Sequence, residues 1–177
     1  MPPQALKSVS GLDDPRAFYQ VLDDPAPLAG MAFPQSVPWK SLAAAGFRSV
    51  VCLTDDTPPY NPSPLQILRP AQFEDLYGGR QPPDPKREAA LLSDVAHAVA
   101  SELRAGRGVV VHCQGGTGRT GTVIACASRL LGTSADAVLR CMARVNGARP
   151  KYPGWKGWPE SEWQRRQVEL PWKALSS

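Results

Sequence analysis

Apolar residues along this chain change their period several times, and each change marks an element. Phe18, Tyr19, Val21 and Leu22 read as an edge strand over 18–22, closed by the turn residues Asp23-Asp24-Pro25. Leu28 to Met31 returns toward the core. Residues 39–45 read as a short helix that stops at Gly46, a C-cap signal. Residues 47–53 form an apolar run expected as a central strand, 54–64 a proline-rich loop, and 65–68 a further short strand. Leu92, Val95, Ala96, Val99 and Leu103 fall on one face of a helix that Pro85 opens and that runs to Arg104. Ala105-Gly106-Arg107-Gly108 then turns the chain into Val109-Val110-Val111, a strand apolar on both faces. Val123, Ile124, Ala127, Leu130 and Leu131 have helical spacing, which starts a helix near Gly118 or Arg119. Ser134 is the expected N-cap of a helix through Val145, and a last helix is expected over 160–169. Strands alternating with helices predict an α/β fold with a mainly parallel central sheet flanked by helices. Residues 1–17 are expected as a loosely packed arm ahead of a single domain at 18–177.

Composition narrows the class. A chain of 177 residues that is 42% hydrophobic suits one core. No apolar run approaches the roughly 20 residues of a membrane span, and the first ten residues lack the basic start and apolar stretch of a secretory signal. The cysteines are Cys52, Cys113, Cys126 and Cys141, none in a C-x2-C pair, and His97 and His112 do not complete a zinc pattern. A reduced, cytoplasmic protein without metal or cofactor is therefore expected. A net charge of +4 and a pI near 9.0 suit an anionic substrate, and are too mild and scattered for nucleic acid.

The chemistry concentrates in His112-Cys113-Gln114-Gly115-Gly116-Thr117-Gly118-Arg119-Thr120-Gly121. Glycines permit a backbone whose successive N–H groups point into one concavity. At a helix N-terminus such a nest binds anions through those donors and the helix dipole. Cys113 opens the nest. The thiolate is the nucleophilic form, and helix N-termini and cations favour it. Arg119 closes the nest with a planar fork matched to two phosphate oxygens. Gln114, Gly115, Gly116, Thr117, Gly118 and Arg119 thus form a cradle for a phosphate monoester, and Thr120 brings a hydroxyl toward the sulfur. An inert core cysteine is the plain alternative for a C-x5-R pattern taken without this context.

The loop resembles the signature of the cysteine-dependent protein tyrosine phosphatase superfamily, in its small dual-specificity-like branch. The resemblance covers roughly residues 27 to 168 and is specific only at this loop. It implies a dual-specificity-phosphatase-like fold and hydrolysis through a phosphocysteine on Cys113. It implies that His112 orients the loop and tunes the thiolate, and that Thr120 assists the thiolate as it departs. A general acid is also needed, to protonate the leaving group and then activate water. Asp55, Asp56, Glu74, Asp75 and Asp84 are the candidates. Phe73-Glu74-Asp75 followed by Pro82-Pro83 resembles the acid loop of phosphatase-and-tensin-type and kinase-associated members, which favours Asp75 and leaves Asp84 as competitor. Trp158-Pro159-Glu160 resembles the tryptophan-proline-aspartate loop of tyrosine phosphatases, but it follows the nucleophile and is better read as a helix start. The resemblance further implies that Gln164 approaches the site, and that Cys52 protects Cys113 by a reversible disulfide; a buried core cysteine is the competing reading of Cys52. The expected substrate is a phosphorylated protein, bound to a monomeric enzyme. Phosphotyrosine comes first, with phosphoserine or phosphothreonine possible beside it. A phosphoinositide is the second reading, weakened because the loop carries no lysine. A non-catalytic phosphate-binding module is the third.

Overall fold

Burial on both faces decides which strand takes the middle of the sheet. The computed structural model describes residues 7–176. Five strands, β1 (Phe18–Leu22), β2 (Leu28–Met31), β3 (Phe47–Cys52), β4 (Gln66–Ile67) and β5 (Gly108–His112), lie in the order β1-β2-β5-β3-β4. β1 pairs antiparallel with β2, and the other three pairings are parallel. The middle position belongs to β5, with β3 beside it rather than at the centre. The three valines explain this. Val109 and Val111 enter the larger core on one face, Val110 the smaller core on the other, and all are fully buried.

The larger core is covered by α2 (Pro85–Arg104), α3 (Gly118–Leu130), α4 (Ala135–Ala148) and α5 (Glu162–Glu169), the smaller by α1 (Trp39–Ala44). The expected stripe of α2, from Leu92 to Leu103, is buried as a set. α3 is buried almost all round, so its polar groups need internal partners. Thr122 and Ser128 supply them by donating to Gly118 O (2.7 Å) and Ile124 O (2.9 Å).

Three expectations shift. α4 runs three residues past Val145. α5 begins at Glu162, because Ser161 Oγ accepts the Gln164 N–H and caps the helix there. The arm expected to be loose is packed where it is described. Val9 and Leu12 are buried, pair in a bridge and join the smaller core beside Phe18 and Phe47. Residues 1–6 lie outside the described residues.

Two glycines carry the fold into the site. In the β1–β2 register Tyr19 stands opposite Gly30, where an added Cβ would overlap the Tyr19 ring. With no side chain there, the tyrosine lies flat across β2. Its hydroxyl, 97 residues away in sequence, donates to Gly116 O at 2.6 Å. Gly121 on α3 likewise admits Trp158, whose Cδ1 would lie 2.6 Å from a Cβ at 121. The indole Nε1 then donates to Thr122 Oγ1 at 3.0 Å.

Gly30→Ala is therefore expected to overpack the site and lower unfolding stability by about 1–3 kcal/mol. Tyr19→Phe, which removes only the hydroxyl bond, is expected to lose about 0.5–1.5 kcal/mol. Denaturant titration of the two variants checks the order; a neutral Gly30→Ala would mean the ring has another place to go.

Candidate active site

The backbone of the loop from Cys113 to Arg119 is held from behind. Gly116 has φ of +71° and lies so close to β2 that a Cβ would sit 2.6 Å from Met31 O, two independent reasons for glycine. Its carbonyl accepts from the Tyr19 hydroxyl and from Arg149 Nη1 at 3.2 Å. Arg149 Nη2 reaches Gly115 O at 3.5 Å, Arg149 Nη1 reaches Thr117 Oγ1 at 3.2 Å, and the Phe33 N–H donates to Gln114 O at 2.9 Å. Arg149 is itself fixed. Its guanidinium lies 4.1 Å from the Tyr19 ring centroid and donates to Pro15 O and Arg16 O, both at 2.9 Å. With the carbonyls claimed from outside, the N–H groups are left to face inward. From Gln114 to Arg119 none of them is bonded to a described residue.

In front of these amides lies a cavity of about 550 Å³, lined by Cys113, Gln114, Gly115, Thr117, Gly118 and Arg119 among others. Gly116 and Thr120 lie beneath the lining and are buried. Three guanidiniums border the space. Arg16 is paired with Asp14 at 3.0 Å, and Arg149 is spent on carbonyls. Arg119 alone has no hydrogen-bond partner among the described residues. It is the one free to grip an anion. The Thr120 hydroxyl, expected beside the sulfur, is buried and bonds neither to Cys113 nor to any other described residue.

His112 is fully buried. Its Nδ1 lies 3.1 Å from Cys113 O, an acceptor only, so Nδ1 carries the proton. Nε2 then accepts from the Tyr60 hydroxyl at 2.5 Å. Burial pushes the imidazole below its ordinary 6.5 and the Arg119 charge adds to this, against the opposing bond to Cys113 O. Cys52 stands opposite His112 in the β3–β5 register, with its thiol 3.4 Å from Thr54 Oγ1.

Of the five candidate acids, Asp75 lines the cavity. Asp84 Oδ1 accepts the Arg87 N–H at 3.0 Å and caps α2. Asp55 and Asp56 accept backbone N–H groups of Thr57 and Gln72. Glu74 stands exposed beside Asp75, and its N–H is held by Glu88 Oε1 at 2.9 Å.

The cavity also holds residues that the sequence reading missed. Arg149, an arginine just past an expected helix end, gave no sign of its role in the sequence. Glu160 is the larger omission. Its carboxylate lies where a Cβ on Gly118 would be, against the helix N-terminus, and it shares the cavity with Asp75. Burial raises its pKa to about 6, the Asp75 charge adds to the rise, and Arg119 opposes it. The tripeptide Trp158-Pro159-Glu160 was the available signal. Gln164 does not line the cavity; it is buried and its Oε1 accepts the Glu160 N–H at 2.8 Å. In the loop after α4, Tyr152, Pro153 and Trp155 reach the cavity, while Lys151 and Lys156 face other hollows.

A cysteine at a strand end, an anion nest and an arginine at a helix start define a dual-specificity-type phosphatase domain. The chain matches the PTP-SAK family, the Swiss Army Knife protein DSP-PTPase phosphatase domain, over residues 16–153, and it belongs to that family. Its fold is shared with Tk-PTP in the active form (23% identity over 85% of this chain and 93% of that one, TM-score 0.55). It is shared likewise with human DUSP28 (22%, 85% and 92%, TM-score 0.56) and with PTPMT1 in complex with PI(5)P (14%, 86% and 94%, TM-score 0.56). At these identities the likeness is one of fold.

Arg149→Met is expected to leave the Gly115 and Gly116 carbonyls short of donors and to cost about 1.5–3 kcal/mol of stability. Inorganic phosphate should also inhibit it less well; unchanged inhibition would mean the loop holds its shape alone. For His112 the sign follows from its depressed pKa. The unfolded chain takes up the proton first, so the neutral ring's contribution is intact above 6.5 and is lost as pH falls through and below it. Urea titrations from pH 7.5 downward should show a shallower loss for His112→Asn than for the unsubstituted protein.

Proposed function

We propose that the protein hydrolyses phosphotyrosine, and with it phosphoserine or phosphothreonine, in protein substrates through a phosphocysteine intermediate. The observation that carries this reading is one cavity holding Cys113, Arg119 and a wall carboxylate, Asp75, in front of a row of amides; among the described residues neither Arg119 nor those amides have a partner. The Cys113 thiolate attacks phosphorus in line with the ester oxygen. The amides and the Arg119 fork hold the three equatorial oxygens as charge develops on them. Asp75 gives its proton to the departing oxygen. His112 supports the loop by donating from Nδ1 to Cys113 O, and Thr120 supplies the buried hydroxyl nearest in sequence to the Arg119 clamp.

The charge around the cavity favours a singly phosphorylated substrate. No lysine lines it, Arg16 and Arg149 are already engaged, and Asp14, Asp75 and Glu160 add negative charge. A polyphosphorylated inositol ring would find there, besides Arg119, only guanidiniums already engaged by Asp14 or by loop carbonyls. The aromatic rim of Tyr77, Tyr152 and Trp155 suits the ring of a phosphotyrosine. The thiolate chemistry supports a reducing compartment, the cytoplasm. No helix among the described residues is long and apolar enough to cross a membrane.

Steady-state assays of phosphotyrosine peptide, phosphothreonine peptide and phosphoinositide, with and without a chelator, test the proposal. Cys113→Ser is expected to abolish turnover and keep substrate binding. Asp75→Ala should lower kcat by roughly 10²–10⁴, while Asp84→Ala should lose helix stability and keep kcat. Turnover that survives in Cys113→Ser would overturn the phosphocysteine route, and preference for a phosphoinositide would overturn the substrate.

A further inference from the structure

Besides Asp14, which is paired with Arg16, the cavity contains two carboxylates where a phosphocysteine cycle with a single acid–base group needs one. Glu160 is not there by chance of a flexible chain. Asn146 grips the Trp158 peptide from both sides, its Oδ1 accepting the Trp158 N–H at 3.1 Å and its Nδ2 donating to Trp158 O. The Trp158 indole is seated on Gly121 and Thr122. The Glu160 N–H is held by buried Gln164, and its carbonyl accepts from the Gly79 N–H at 2.9 Å, four residues from Asp75. The backbone is thus pinned on both sides of the residue. Its side-chain oxygens bond to no described residue, and they lie over Gly118, at the mouth of the amide nest.

We propose that Glu160 is the base of the second half-reaction, activating the water that hydrolyses the phosphocysteine, while Asp75 serves the first as acid. This rests on the phosphocysteine reading above. The step balances as follows. A water proton passes to the Glu160 carboxylate as the water oxygen bonds to phosphorus. The P–S bond breaks, its electron pair returns to Cys113 Sγ as thiolate, and inorganic phosphate leaves. Asp75, which gave its proton to the leaving group, is then the carboxylate, and Glu160 is the acid. Proton return from Glu160 to Asp75 resets the site, and both carboxylates line the one cavity, where the Asp75 charge adds to the rise in the Glu160 pKa. A pKa of about 6 leaves Glu160 mostly ionised at neutral pH, ready to accept.

Rapid-mixing kinetics with p-nitrophenyl phosphate read the two halves separately, because the burst of p-nitrophenolate reports phosphocysteine formation and the steady state reports its hydrolysis. Glu160→Gln is expected to keep the burst, to lose roughly 10²-fold or more in steady-state rate, and to accumulate protein one phosphoryl group heavier by mass. Asp75→Asn should lose the burst instead. Added formate should restore the slow phase in Glu160→Ala by supplying the missing base. A merely structural residue would not give this split. Stability provides a second reading. The raised pKa means that Glu160 costs stability as pH rises from 4.5 to about 6, so Glu160→Gln should be the more stable protein above pH 6. Equal steady-state rates, or equal loss in both phases, would overturn the role of Glu160. Retained turnover in Cys113→Ser would instead sink the phosphocysteine reading itself, so the two failures are distinguishable.

Discussion

Everything the site can do depends on the orientation of two peptide groups. A loop of small residues has no inherent reason to turn its N–H groups to one side, and each amide so turned forces a carbonyl to the other. The Gly115 and Gly116 carbonyls point into protein, where burying them without donors would be unfavourable. Tyr19 and Arg149 meet that demand with a hydroxyl and a guanidinium. The anion nest is therefore a consequence of what lies behind it. Glycine at 116 allows the φ, but the donors behind the loop select it.

The rest of the fold can be followed outward from that clamp. Tyr19 reaches the loop because Gly30 gives up its side chain, and β1 lies beside β2 because their antiparallel register sets those two residues opposite each other. β2 borders β5 because the valines of β5 need cover on both faces. α3 springs from the loop and is buried on nearly every side, so its N-terminus is aimed by packing and not by the loop. Trp158 packs on α3 at Gly121 and thereby brings Glu160 to the same N-terminus. The two glycines of Gly118-Arg119-Thr120-Gly121 serve this single approach, one making room for a carboxylate and the other for an indole.

Much of this was legible in the sequence where chemistry and geometry are local. The stripe from Leu92 to Leu103, the Pro85 start, the valine strand and the Cys113 to Arg119 spacing each follow from a repeat of a few residues. What escaped was long-range. Arg149 acts on residues more than thirty positions before it, and its anchors Pro15 and Arg16 lie more than 130 positions away. No periodicity encodes such a pairing. Glu160 was set aside because its order along the chain differs from the familiar one, yet a cavity has no chain order. Asp75 and Asp84 differ in the opposite way. Both fall between the expected 65–68 strand and the long helix in sequence, and only the direction of the chain after Phe73 separates a cavity wall from a helix cap.

The hold of Arg149 on Pro15 O and Arg16 O also changes where the working unit begins. Those carbonyls belong to backbone that precedes the first strand, in a stretch that could pass for an appendage. A chain trimmed at residue 17 would keep Cys113, Arg119, Asp75 and Glu160, and it would keep every strand. It would nonetheless release one side of the guanidinium that braces the nest. Residues 14–17 are thus an outer wall of the candidate site, and their removal would act on the loop while keeping every strand of the sheet.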